Sequence, residues 1–187
     1  MIANIQTYLK KTYGYTDFQI AQIQYTLLSV LSELSKLLVI GIFFYYTGHL
    51  ASFVFATIVL YPLRTATGGF HFNHYWSCLL MSFLFFFIGI YAPACLQIPK
   101  SAHLLLLILC IMLNHKCSPV VSCYHPVPDK NMIKRAKHCS FSFISIFATL
   151  MLLIPANPYL PVGTWIIVLH SLQLAAAKLL PVRRNSI

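Results

Sequence analysis

The chain has 187 residues, of which 59% are hydrophobic, 9% are charged and only three are acidic. A water-soluble globule must cover its surface with polar and charged groups, so this composition excludes an ordinary soluble domain. The formal net charge of +10 does not indicate nucleic-acid binding, because the basic residues lie at the ends of apolar runs and form no continuous basic patch. We therefore expect an integral membrane protein.

The N-terminal segment, residues 1–16, has the pattern of a short amphipathic helix. One helical stripe carries three apolar side chains beside two lysines: Ile2, Ile5, Leu9, Lys10 and Lys11. Such a stripe is typical of a helix that lies in the membrane interface, and a frayed tail explains it equally well. No cleavable signal peptide is evident, because the residues before the first apolar block are too polar and too numerous.

Six apolar blocks follow and predict the helices of an all-α, polytopic membrane bundle. They cover about residues 34–47, 50–62, 76–96, 101–114, 139–155 and 161–180. In lipid every backbone amide needs an internal partner, so these blocks should be helical, and their weak alternation argues against a β-barrel. The second and fourth blocks, at roughly thirteen residues, fall below the ~20 that span comfortably, so they could cross only partly.

Helix-breaking residues separate the blocks, including Gly48, Pro62, Pro99, Pro119 and Pro155. No internal repeat and no second domain is evident, so we expect one domain over residues 1–187. A homodimer stays open, since short helices could bury surface by pairing, although no GxxxG pattern marks an interface.

The basic residues predict the orientation of the bundle. If the N-terminus is cytosolic and the chain crosses six times, Lys100 is the single basic residue outside, among the 13 lysines and arginines. This bias follows the positive-inside rule. Both termini, the polar segment 64–78 and a basic loop at 115–138 should then face the cytosol, where the thiols of the chain stay reduced.

The polar segment "RTATGGFHFNHYWSC" combines a cysteine with two histidines. A cysteine becomes a good nucleophile when a histidine or a helix N-terminus stabilises its thiolate, and Cys78 lies where the next apolar run begins. His74 shares a helix face with Cys78 if the helix begins by residue 74. His71 lies seven residues away, about 10 Å along a helix, and reaches Cys78 only if the chain turns back. Gly68 and Gly69 permit such a turn. Spacing slightly favours His74, and an inert cysteine beside an ordinary interfacial loop is the simpler alternative.

The spacing R-x3-GG-x-H-x6-C, formed by Arg64, Gly68, Gly69, His71 and Cys78, resembles the signature of the accessory gene regulator B (AgrB) family. Members of that family are membrane cysteine endopeptidases of Gram-positive bacteria that process the precursors of quorum-sensing peptides. The resemblance implies Cys78 as the nucleophile and His71 as its base and later acid, which reverses the preference for His74. It also implies a location in the bacterial cell membrane and no cofactor.

The resemblance further implies an AgrD-like propeptide as the partner. Cleavage would release the charged C-terminal tail and leave the peptide as a thioester on the enzyme cysteine. A cysteine or serine inside the peptide would then close a thiolactone or lactone ring. A thioester keeps much of the acyl group's reactivity, so an internal nucleophile held close can outcompete water in a partly dry site.

Supporting roles have equally plain alternatives. Arg64 could bind the acidic tail or developing charge, and it could simply anchor a helix end. Backbone amides before Cys78, with Ser77 as a side-chain candidate, could form an oxyanion hole. Asp129 could orient His71, although such an acid more often pairs with neighbouring lysines. The basic run at 130–137 should contact lipid headgroups, and a negatively charged tail could use the same surface.

Two rival functions remain. A zinc site could use four potential ligands in the 115–138 loop: His115, Cys117, Cys123 and His125. Their spacing matches no zinc-finger pattern, so we expect no metal. The second rival is a small non-enzymatic permease or peptide exporter. Transport sites usually carry charges near mid-membrane, whereas the blocks here have uncharged centres, which favours an interfacial enzyme. Glu33 needs no such role, because Lys36 can pair with it.

Overall fold

A computed structural model describes residues 14–69, 74–120, 129–154 and 157–179, and 87% of these residues are helical. The described residues form six helices: α1 (Asp17–Tyr46), α2 (Leu50–Thr67), α3 (Tyr75–Cys95), α4 (Lys100–Cys117), α5 (Lys130–Leu153) and α6 (Tyr159–Leu179). The described ranges contain no strand, only one isolated bridge. The predicted all-α class is therefore confirmed. Residues 1–13 of the proposed interfacial helix, which was expected over residues 1–16, lie outside the described ranges, and residues 14–16 are not helical.

All six helices are long and apolar enough to cross a membrane. The two short blocks become helices of 18 residues, α2 and α4. At 1.5 Å per residue they extend for about 27 Å, close to the ~30 Å hydrocarbon core. Helix α2 gains its length by continuing through Pro62, where the sequence had indicated a break. A proline inside a helix removes one ladder hydrogen bond, and membrane helices tolerate this loss. The chain is a multi-pass membrane protein.

Helix α1 begins well before the expected apolar block at residue 34. Its N-terminus is a capping box, in which the Thr16 hydroxyl accepts a hydrogen bond from the Gln19 amide at 3.3 Å. The Gln19 side chain in turn accepts one from the Thr16 amide at 2.9 Å. Hydropathy missed this region because residues 17–33 mix polar with apolar side chains. The expected ion pair between Lys36 and Glu33 forms at 2.9 Å.

Helix α5 corrects the prediction of a basic loop over residues 115–138. The C-terminal part of that range, from Lys130 onward, is helical. Asp129 is the N-cap, and its carboxylate accepts a hydrogen bond from the Lys130 amide at 2.6 Å. The cap satisfies an amide that has no acceptor within the helix, so the helix can begin in a strongly basic stretch. The basic run therefore lies on the first turns of α5.

The chain divides into two compact units, residues 1–43 and 44–187. The described part of the first unit consists mainly of α1. In the second unit, α6 packs against α2, α3 and α4, while α5 packs against α2 and α4. Half of the most apolar window of α6 is buried, more than in any of the other five described helices. The core of the second unit is therefore built around α6.

Basic residues of the second unit gather at one end of its helices. Gly68, after α2, pairs with Val120, after α4, and the Lys178 ammonium near the end of α6 donates to the Lys116 carbonyl. At the opposite end, Lys100 donates to the Leu152 carbonyl at 3.2 Å. We call the first of these the basic end. Its described lysines and arginines are Arg64, Lys116, Lys130, Lys134, Arg135, Lys137 and Lys178.

Candidate active site

The chain leaves α2 through a turn that requires a glycine. Gly68 has φ 78° and ψ −158°, a conformation nearly restricted to glycine. The Val120 amide donates to the Thr67 carbonyl at 2.9 Å. A Cβ atom on Gly68 would overlap the Val120 carbonyl oxygen. Gly69 lies against the Arg64 side chain, since a Cβ there would stand 3.7 Å from Nε. The turn thus needs Gly68 for two reasons, its dihedral angles and the close approach of Val120.

Cys78 lies at the beginning of α3 and is 7% exposed. Its amide donates to the His74 carbonyl at 3.1 Å, the first hydrogen bond of the helix. The amides of the preceding first turn have no acceptor within the helix, so this end carries a partial positive charge. His74 is the N-cap, with extended backbone (φ −108°, ψ 134°). Because the helix begins one residue later, the condition that favoured His74 by spacing is not met.

A cavity of about 640 Å³ opens beside Cys78, within the ~300–1,000 Å³ typical of ligand pockets. Four of its lining residues are polar or reactive: Arg64, Cys78, Ser82 and Gln173. The other nine are apolar: Leu60, Met81, Leu84, Phe85, Phe86, Ile88, Leu169, Leu172 and Ala176. Several of these, such as Leu172 at 53% exposed, lie on the outer surface of spanning helices. The cavity is therefore open towards the lipid.

Sequence comparison decides the family. The family model described as accessory gene regulator B (AgrB) matches residues 2–174. The chain belongs to the AgrB family. A protein of Clostridium beijerinckii described as AgrB-like is 29% identical over 125 residues, which cover 66% of this chain and 63% of that protein. The match thus spans less than two thirds of that relative. No solved structure matches the chain. Membership associates the chain with the agr quorum-sensing system.

The candidate site residues named from the sequence do not all line the cavity. Arg64 and Cys78 both line it. Ser77 is exposed and is absent from the lining, so its side chain does not face the cavity. Asp129 caps α5 and is likewise absent from the lining. His71 falls outside the described residues.

A buried polar layer behind the turn was not anticipated. The Thr67 hydroxyl and His170 Nε2 are 2.8 Å apart, and both side chains are fully buried. On the neighbouring helix, Asn114 Nδ2 donates to the Ser171 hydroxyl at 2.7 Å. Within the described ranges, His170 Nδ1 and Asn114 Oδ1 have no hydrogen-bond partner. The only hint in the sequence was a histidine and two hydroxyl residues within apolar α6. The 103 positions between Thr67 and His170 hid the contact.

The postulated zinc ligands are only partly within the described residues. His115 and Cys117 lie in the last turn of α4, whereas Cys123 and His125 lie outside the described ranges. Across those ranges, no three His, Cys, Asp or Glu side chains cluster to hold a metal ion.

Proposed function

We propose that this AgrB-family chain is a membrane cysteine endopeptidase. It removes the C-terminal tail of an AgrD-like propeptide and promotes ring closure of the remaining peptide. The observation that carries the proposal is the position of Cys78. It lies near the N-terminus of a spanning helix, on the wall of a cavity that Arg64 also lines. Thiol, positive charge and apolar peptide-sized space therefore occur together.

Cys78 is the proposed nucleophile. Arg64 lines the same cavity as Cys78, and Cys78 lies near the N-terminus of α3, where backbone amides without an acceptor carry partial positive charge. Both place positive charge near the atoms on which negative charge develops when the sulfur attacks a carbonyl carbon.

His71 is the proposed base and acid. It takes the Cys78 proton, and the thiolate attacks the scissile carbonyl carbon to form a tetrahedral intermediate. Breakdown of that intermediate breaks the C–N bond, and the imidazolium gives its proton to the amine of the departing tail. The other product is a thioester between the peptide and Cys78. The Gly68 turn supports this role, because it redirects the chain immediately before His71.

Ring closure follows from the same groups. A thiol or hydroxyl within the peptide transfers its proton to His71 and attacks the thioester carbonyl. The carbon–sulfur bond to Cys78 then breaks, and the released Cys78 thiolate takes the proton from His71, which restores the starting enzyme. The nine apolar residues of the cavity wall limit the water that could hydrolyse the thioester first. Gln173 offers an amide that can hydrogen-bond the peptide backbone during both steps.

The basic end is proposed to face the cytosol, with both termini on the same side. The support is its seven described lysines and arginines against Lys100 at the opposite end, which agrees with the positive-inside rule. Cys95, exposed at the far end of α3, should then react with a membrane-impermeant thiol reagent in intact cells. Labelling of Cys95 only after the cells are opened would reverse the orientation.

The test of the activity uses the full chain in liposomes with a candidate AgrD-like propeptide. Cys78→Ala and His71→Ala should abolish release of the tail. Cys95→Ala serves as the matched cysteine control and should release the tail normally. If Cys78→Ala still releases the tail, the chain is not a cysteine endopeptidase and a permease or exporter becomes the better explanation.

Two further measurements examine the mechanism. A hydroxylamine-sensitive adduct between the peptide and Cys78, seen by mass spectrometry, is expected when the peptide lacks its internal nucleophile. His74→Ala should keep activity. Loss of activity in His74→Ala with activity kept in His71→Ala would transfer the role of base to His74.

A further inference from the structure

A second cavity lies at the basic end, between α4 and α5, and its volume is about 540 Å³. It shares no lining residue with the cavity beside Cys78. Three lysines line it, Lys116 from α4 and Lys134 and Lys137 from α5, together with His115 and His138. We propose that this cavity is a binding site for one anionic phospholipid.

Within the described residues, none of the three lysines of this cavity forms an ion pair with an acidic side chain. The whole chain has three acidic residues: Asp17 lies in the first turn of α1, Glu33 pairs with Lys36, and the third is Asp129. The Asp129 carboxylate caps α5 through the Lys130 amide. Lys178 adds a further ammonium beside the cavity, because it donates to the Lys116 carbonyl. Several ammonium groups that lie close together without acidic partners among the described residues attract an anion.

The part of the cavity nearer the middle of the spanning helices, which we call its lower level, is apolar on both α4 and α5; the lysines form the upper level. Met112 lies one turn before Lys116 on α4, and Phe141 lies one turn after Lys137 on α5. Four residues of helix correspond to about 6 Å. The two helices run in opposite directions, so both apolar side chains lie on the same side of the lysines, towards the middle of the spanning segments. Met112 is 54% exposed and Phe141 is 53% exposed.

This two-level arrangement matches the chemistry of a phospholipid. The ammonium groups suit a phosphate at headgroup depth, and the exposed apolar pair below suits the start of an acyl chain. A free phosphate would use only the upper level. An acidic peptide would also leave the lower level without a matching group. The cavity therefore favours a lipid over either of these anions.

The experiment uses the purified full chain in detergent and compares four probes. These are phosphatidylglycerol, phosphatidylcholine, inorganic phosphate and a short acidic peptide. We expect phosphatidylglycerol alone to remain bound in native mass spectrometry and to raise the thermal unfolding temperature. Equal retention of phosphatidylcholine, or equal stabilisation by inorganic phosphate or the peptide, would overturn the assignment.

The chain offers a matched control for the lysines. Lys134→Gln with Lys137→Gln removes two charges from the cavity, whereas Lys130→Gln with Arg135→Gln removes two from the same helix outside its lining. The first pair should raise the dissociation constant of phosphatidylglycerol on the order of 30-fold, which is ~1 kcal/mol per lysine converted at 1.4 kcal/mol per factor of ten.

The control pair should change the dissociation constant only a few-fold, and replacement of Lys134 and Lys137 by arginine should keep the affinity. Equal losses in the two glutamine pairs would reduce the site to general surface charge and overturn the proposal. Tail release is not a readout here, so the outcome is independent of the proposed endopeptidase activity.

Discussion

Gly68→Ala is the sharpest single test of the turn before the proposed catalytic histidine. The substitution adds one methyl group where the backbone has φ 78° and ψ −158°. That methyl would overlap the Val120 carbonyl oxygen and lie 3.1 Å from its carbonyl carbon. Both are backbone atoms, so no side-chain rotation can relieve the overlap. Either Gly68 or the Val120 segment must move.

The expected cost has two parts. Placing alanine in this region of backbone space costs about 1–3 kcal/mol. Moving Val120 away also weakens the 2.9 Å hydrogen bond from its amide to the Thr67 carbonyl, a loss of about 0.5–1.5 kcal/mol. We therefore expect the free energy of unfolding to fall by about 2–4 kcal/mol.

Gly48→Ala is the matched control. Gly48 has φ 76°, but no atom lies within 4 Å of the position that its Cβ would take. Gly48→Ala should lower the free energy of unfolding only through the unfavourable positive φ of the alanine, by about 1–2 kcal/mol. The assay is thermal unfolding of both variants in detergent, followed by tail release in liposomes at equal amounts of folded protein. Gly68→Ala should lose at least tenfold in release, while Gly48→Ala keeps the wild-type rate. Equal behaviour of the two variants in both assays would refute the role given to the turn.

Three further substitutions test contacts in the second unit. His170→Ala should destabilise the protein by about 1–3 kcal/mol, because it removes the 2.8 Å hydrogen bond between the buried His170 and Thr67 side chains; the Thr67 hydroxyl then keeps only the Leu63 carbonyl as a partner. If His170→Ala and Thr67→Val show additive losses of stability, the two side chains do not interact. Gly89→Ala would bring a Cβ within 2.5 Å of Ile166 Cδ1 and should lower the free energy of unfolding by about 1–3 kcal/mol. Adding Ile166→Val removes that atom and should recover most of the lost stability, as measured by thermal unfolding. Asp129→Ala removes the cap of α5 and should cost about 0.5–2 kcal/mol without lowering tail release per folded molecule, whereas a selective loss of release would give Asp129 a catalytic role.

Much of the bundle could be predicted from local sequence. The helix boundaries near Gly48, Pro99 and Pro119 were predicted correctly, because glycine and proline disfavour continuation of a helix at their own positions. Pro62 misled the prediction, since a proline within a membrane helix removes one hydrogen bond that the surrounding protein can tolerate. The early start of α5 was missed because its first turns are basic. Hydropathy detects lipid-facing surface, whereas a single cap at Asp129 decides where the helix begins.

The candidate site was less predictable. The motif singled out Arg64 and Cys78, and both line one cavity. The partners across the cavity could not be found this way. Gln173 lies 95 positions beyond Cys78, and no spacing rule joins residues on different helices. The contact between Gly68 and Val120 is equally non-local. Which polar side chains meet depends on how helices pack, and apolar runs of similar composition carry little information about their neighbours.

The central place of α6 sets an order of events during synthesis. Helices of a membrane protein enter the bilayer largely in chain order and then pack against one another. Cys78 is made early, but one wall of its cavity comes from α6, the last of the described helices. The partner of Thr67 arrives with the same helix. A nascent chain that lacks α6 therefore holds Cys78 without a completed cavity. The proposed catalytic site is completed in one late step, when α6 packs against α2 and α3.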